Sequence, residues 1–162
     1  MKVIIFGGSW QLGKYLLREA PQDWQVISVR KSEVDITDLS AVILFVRQNP
    51  SDLIINAAAY TSVDMAERER YLADAVNHLG VRNLALAAKA AKAKLIHIST
   101  DYVFDGVTES DYSEFSLPNP ANVYGETKLA GEVILRKLLP ESLIVRTSWI
   151  FSEFPGNFLS TI

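Results

Sequence analysis

The 162-residue sequence predicts an α/β domain built on a doubly wound parallel sheet, and three observations carry that prediction. Short apolar runs alternate with longer helical segments along the chain. The runs are four or five residues long, β-branched and almost continuously hydrophobic, as expected of strands buried on both faces of a parallel sheet. A glycine cluster directly follows the first run and opens the first helical segment. Strand and helix in strict alternation imply right-handed crossovers, with ligands bound at the carboxyl ends of the strands.

The candidate strands are residues 3–6, 25–29, 53–56, 95–99 and 143–146. Between them, residues 11–20 follow the glycines, and residues 38–48 stop before Pro50, which cannot continue a helix. An Ala-rich segment over 66–93 has high helix propensity, and residues 122–139 close before Pro140. Residues 100–121 form one long irregular segment holding Gly106, Pro118 and Pro120, a length that points to function.

Composition removes several classes of function. With 49% hydrophobic and 22% charged residues the chain is ordinary globular material rather than a disordered one. Sixteen Lys+Arg against 19 Asp+Glu leave a net charge of −3, so no basic excess exists to hold nucleic acid. The absence of cysteine excludes disulfides, Cys-ligated zinc, iron–sulfur clusters and thiol nucleophiles. His78 and His97 are too few for a His-rich metal site. No run approaches the ~18 apolar residues of a membrane span, and residues 1–6 meet glycine too soon for a signal peptide. The expectation is a cytoplasmic protein with no membrane partner.

After the first strand stands Gly7-Gly8-Ser9-Trp10-Gln11-Leu12-Gly13-Lys14, which two phosphate-binding patterns share. Read as a P-loop, Gly8, Gly13 and Lys14 fit, but Tyr15 occupies the position that needs a hydroxyl for magnesium. Read as a dinucleotide turn, Gly7 and Gly13 are the outer glycines, and Trp10 replaces the middle one, where backbone should approach a pyrophosphate. Trp10 either swings outward or covers the site. The second strand ends in Arg30-Lys31, and a basic Arg30 there suits the 2′-phosphate of NADPH better than the free ribose of NADH.

Ser99-Thr100-Asp101-Tyr102 ends the fourth strand, and Tyr124 and Lys128 stand at i and i+4 in the next helix. That spacing places them on one face, with Cβ atoms about 5–6 Å apart. A neighbouring ammonium favours the phenolate, so Lys128 should lower the pKa of Tyr124 and ready it for proton transfer to a carbonyl oxygen. The hydroxyl of Thr100 or Ser99 would orient the same oxygen.

Four blocks together, NAAAYTSVDMAE (56–67), STDYVFDG (99–106), NVYGETKLAGE (122–132) and RTSWIF (146–151), resemble the dTDP-4-dehydrorhamnose reductase family. That family belongs to the extended short-chain dehydrogenase/reductase superfamily, and the blocks span nearly the whole chain. The resemblance implies an NAD(P)-binding Rossmann fold over residues 1–162, cut before a C-terminal substrate domain. It also implies NADPH- or NADH-dependent reduction of the 4-keto group of a dTDP-linked deoxysugar. Tyr124 would then be the proton donor, Lys128 its partner at the nicotinamide ribose, and Thr100 the aid at the sugar carbonyl. Trp10, Gln11 and Leu12 would pass under the pyrophosphate, Asp35 and Ile36 would flank the adenine, and Ala57, Ala58 and Ala59 would line the cofactor cleft. Thr61, Val63, Asp101 and Trp149 would face the sugar nucleotide.

Other roles follow from the same resemblance. Helices packed on the sheet often mediate dimers in the superfamily, so a homodimer is admissible. Some members carry magnesium, for which this sequence offers no placeable ligands. A second reading of the fold is a non-catalytic binding subunit, like the regulatory subunit of methionine adenosyltransferase, which shares the DYVFDG and YGKTKL-type blocks. Trp10 favours that reading, and the presence of Thr100, Tyr124 and Lys128 opposes it. Plainer roles compete too: His97 and His78 as structural residues, Asp64, Glu67 and Glu69 as a solvated helix start, and Trp149 as core. Residues 157–162 read as the start of a helix.

Overall fold

In the computed structural model, which describes residues 1–108 and 111–152, five parallel strands form one sheet in the order β2-β1-β3-β4-β5. They are β1 (Lys2–Phe6), β2 (Gln25–Val29), β3 (Leu53–Asn56), β4 (Lys94–Thr100) and β5 (Leu143–Thr147), each within one residue of expectation at either end. The helix expected over 157–162 lies outside the described residues. The sheet order reverses between β1 and β3, and that reversal opens a crevice at their carboxyl ends.

Helices α1 (Gln11–Arg18), α2 (Leu39–Gln48), α3 (Val63–Ala66), α4 (Arg70–Asp74), α5 (Val81–Ala91) and α6 (Val123–Leu138) flank the sheet. Ile4, Phe6, Ile54 and Leu95 point to one face and pack with Val42 and Val46 of α2, Leu84 and Ala88 of α5 and Leu135 of α6. Val3, Ile5, Leu53 and Ile55 point to the other face, against Leu16 of α1 and Trp24. Alternate side chains of each strand thus feed two apolar layers, which explains the continuous hydrophobicity of the short runs. The edge strands depart from that expectation. Ile27 of β2 is 40% exposed and β5 is half-buried, because each has a strand neighbour on one side only among the described residues.

The Ala-rich segment is broken rather than continuous. Helix α3 stops at Ala66, and α4 runs through a π-helical turn (Ala75–Gly80) into α5. Propensity alone cannot foresee that turn, because its cause is tertiary. Asn77 in it bonds the backbone of Tyr60, while its carbonyl stands where a Cβ on Gly131 of α6 would lie. No helix among the described residues is long and apolar enough to cross a membrane.

Two helices begin one residue later than expected because the polar residue before them is a cap. The Asp38 carboxylate accepts from Ala41 N at 3.0 Å, and Asn122 Oδ1 accepts from Gly125 N at 2.8 Å. Replacing Asn122 by Ala should cost about 0.5–2 kcal/mol of stability in urea denaturation, and Asn122→Ser should recover most of it.

Candidate active site

The crevice between β1 and β3 is shaped by backbone contact. Gly7 holds φ at 86°, and a Cβ there would lie 2.5 Å from Ala58 N and 2.6 Å from the Ala57 carbonyl carbon. Only glycine permits that approach. The Gly7 and Gly8 amides both donate to Val29 O, at 3.1 and 3.0 Å, and Gly13 packs on the Gly7 carbonyl. Trp10 occupies the N-cap position of α1, is 63% exposed and borders the cleft at the helix start. Ser28 fills the space beside Gly8.

Two adjoining cavities run from this turn. The larger, about 590 Å³, is lined by Trp10, Gln11, Leu12, Ala57, Ala59, Thr61, Val63, Thr100, Asp101, Tyr124, Lys128 and Trp149. The smaller, about 250 Å³, is lined by Gly7, Trp10, Asp35, Ile36, Ala58, Ala59 and Thr61. The candidate residues therefore converge, with two exceptions. Gly13 is a packing residue behind the turn. Arg30 lines neither cavity: its backbone N–H and its Nε donate to Glu33 Oε2 at 2.8 and 3.2 Å. The basic residue on the smaller cavity is Lys31, 3.6 Å from Asp35. Burial pushes the Asp35 carboxyl up, but hydrogen bonds from Thr37 and the Lys31 charge together bring it below its ordinary value. Trp149 is 69% exposed with φ at 48°, a left-handed conformation rare outside glycine, so it is no core residue.

Thr100, Tyr124 and Lys128 meet at the carboxyl end of β4. The Thr100 hydroxyl donates to Asp101 Oδ1 at 3.1 Å and accepts from Tyr102 N at 3.2 Å. Tyr102 and Tyr124 pack edge-to-face with ring centroids 5.5 Å apart. Lys128 is 1% exposed, and its Nζ donates to the Ile98 carbonyl at 2.6 Å. Burial lowers its pKa to about 8, against an opposing pull from Glu132. The expected lowering of the Tyr124 pKa does not occur. Burial pushes it up, the Thr100 hydrogen bond pulls it down, and the electrostatic influence of Asp101, then of Tyr102, pushes it up further. The physical reason is first the burial of the phenol, while the recorded bond of the Lys128 ammonium goes to the Ile98 carbonyl.

Several site residues were not legible as such. Asn56 Nδ2 meets His97 Nδ1 at 3.0 Å, while Asn56 Oδ1 accepts from Ala58 N at 3.1 Å and so ties β4 to the alanine segment. His97 is indeed structural: burial, then the Lys128 charge, hold its pKa well below normal, so Nδ1 accepts and the proton sits on Nε2. Asn77 clamps both backbone groups of Tyr60 and donates to Thr127 Oγ1 at 3.1 Å. Thr127 in turn donates to the Tyr124 carbonyl at 2.9 Å. Glu67 accepts from Val123 N and Glu69 from the Tyr60 hydroxyl, at 2.9 and 2.7 Å, so neither is merely solvated. For Asn56 and Asn77 the signal that could have found them is an asparagine set among apolar residues, where its amide must find partners. Among the described residues, no cluster of three His, Asp or Glu side chains could hold a metal ion.

Comparison with known proteins supplies the family of the chain. A dTDP-4-dehydrorhamnose reductase from Aggregatibacter actinomycetemcomitans is 42% identical over 99% of this chain and 55% of its own length. One from Salmonella typhimurium is 39% identical over 100% of this chain and 56% of its own. The crystal structure of dTDP-4-dehydrorhamnose reductase from Bacillus anthracis in complex with NADP superposes with a TM-score of 0.96. It is 43% identical, with 99% of this chain and 57% of that one covered. The chain thus spans about half the length of the curated relatives it matches. The family described as the RmlD substrate binding domain matches residues 1–162, and the chain belongs to that family.

Proposed function

We propose that the chain forms the dinucleotide-binding and catalytic part of a reductase acting on the 4-keto group of a dTDP-linked deoxysugar, with NADPH or NADH as reductant. The observation that carries this reading is one cleft holding Thr100, Tyr124 and Lys128, continuous with the glycine turn at the sheet reversal. A dinucleotide suits that turn on two counts. The cradle where Gly7 meets Ala57 and Ala58 admits no side chain, and the buried Gln11 Nε2 at the start of α1 lacks a hydrogen-bond partner among the described residues. The relatives named for the activity, and the one crystallised with NADP, support the assignment.

The bound nicotinamide would supply the hydride, and the chain's own side chains would do the rest. Thr100 and Tyr124 present hydroxyls where the sugar carbonyl oxygen would lie. A phenol held above its ordinary pKa is protonated at neutral pH, which is the form an acid must have to quench an alkoxide. Lys128 would then stabilise the phenolate left behind and hold a ribose hydroxyl. Lys31, beside Asp35, is placed to meet the adenosine end, the role that sequence reasoning gave to Arg30.

In the full-length protein, Tyr124→Phe should lower kcat by about 10²–10⁴ while the NADPH dissociation constant stays within about twofold. A wild-type rate in that variant would refute the acid assignment, and NADPH binding without turnover in the unaltered protein would favour a non-catalytic subunit. Lys128 carries charge below its pKa of about 8 and loses it above, so kcat/KM should fall as pH rises through that value. Lys31→Ala should weaken NADPH binding roughly tenfold relative to NADH, and Arg30→Ala should change the ratio far less, read by fluorescence titration of both cofactors.

A further inference from the structure

Behind the cleft, α6 carries a buried ion pair that the mechanism above does not use. Glu132 follows Lys128 by four residues and Tyr124 by eight, so all three share one buried helix face. Glu132 is 1% exposed and fully bonded. Its Oε1 accepts from the Ser99 hydroxyl at 2.6 Å and from Arg146 Nε at 3.0 Å, and its Oε2 accepts from Arg146 Nη2 at 2.6 Å. An apolar pair of similar volume would serve packing as well or better, so stability alone does not account for these charges. What sets the pair apart is its neighbour. The next turn of the same face holds the buried ammonium of Lys128, and Ser99 adjoins Thr100 on β4.

We propose that Glu132 is a positioning residue for the reaction: clamped by Arg146 and Ser99, its carboxylate one helical turn from the buried ammonium holds Lys128 and its turn seated against the end of β4. The inference rests on the role given to Lys128 above. The groups around Lys128 support it. From β4 comes His97, held neutral, and from the turn after it Asp101 and Tyr102. From α1 comes Lys14, on the same cleft wall. Arg146 of β5 is turned onto Glu132. Asp101 takes the Thr100 hydroxyl and acts on Tyr124, and of all these groups Glu132 is the one that counters the burial of Lys128.

The test is Glu132→Gln in the full-length protein, which keeps the shape and the Ser99 acceptor but removes the charge. The alkaline limb of kcat/KM, and the ¹³C NMR titration of Lys128 assigned by its loss in Lys128→Met, should both move about one pH unit towards acid. Because Glu132→Gln leaves an unpaired arginine and could unfold the protein, Glu132→Met with Arg146→Met removes the pair together. It should show an acid shift in the same direction but smaller, because the opposing charge of Arg146 is removed with it. A purely structural role would lower the melting temperature and kcat at every pH without moving the limb. That result, or a Lys128 titration at its unaltered pH in either folded variant, would overturn the proposal. Full turnover by Tyr124→Phe would instead sink the reading of the cleft, while the Lys128 titration would still decide what Glu132 does.

Discussion

The arrangement of the site depends on one buried cation. Lys128 lies inside the protein with its ammonium on the carbonyl of Ile98, and taking such a charge out of water is costly unless it is bonded and balanced. Its neighbours meet both needs. The Ile98 carbonyl accepts a hydrogen bond from it, Glu132 lies one helical turn away, and His97 stays neutral so that no second positive charge competes. The Nε2 proton of His97 finds no hydrogen-bond partner among the described residues, a local cost borne by the same arrangement.

A second constraint is steric. Gly7 and Gly13 allow the turn after β1 to close on the alanine segment after β3. The contact sets the floor of the crevice, and Asn56 fixes its other side by receiving Ala58 N–H while bonded to His97. Backbone closeness at the sheet reversal and buried charge at the end of β4 thus meet through a single histidine–asparagine contact. Thr100, Tyr124, Lys128 and the alanine segment after β3 share a framework because adjacent strands end side by side.

The π-helical turn links the remaining parts. By displacing Asn77 from a regular helical course, it lets one side chain satisfy both backbone groups of Tyr60 and reach Thr127, which bonds the carbonyl of Tyr124. Loop, helix and tyrosine are therefore held by neutral hydrogen bonds in a buried setting, where such bonds specify geometry strongly. On the outer side, Glu67 and Glu69 extend the same bracing to the start of α6 and to Tyr60.

The sequence by itself determined the element order, the parallel sheet and the convergence of a glycine turn with Thr100, Tyr124 and Lys128. These rest on short-range signals: apolar runs, propensity, proline stops and i, i+4 spacing along one helix. The four blocks of residues also sufficed to place the chain in its family. Tertiary structure alone decided the rest. Lys31 and not Arg30 lines the crevice, the Arg30 side chain lying on Glu33 instead. The Tyr124 pKa rises instead of falling because burial and the partner chosen by Lys128 outweigh spacing. The break at Asn77 and the pairing of Glu132 with Arg146 join residues distant in sequence. Proximity along the chain can be read from letters, whereas the partner a buried polar group selects is fixed only once the strands and helices have packed.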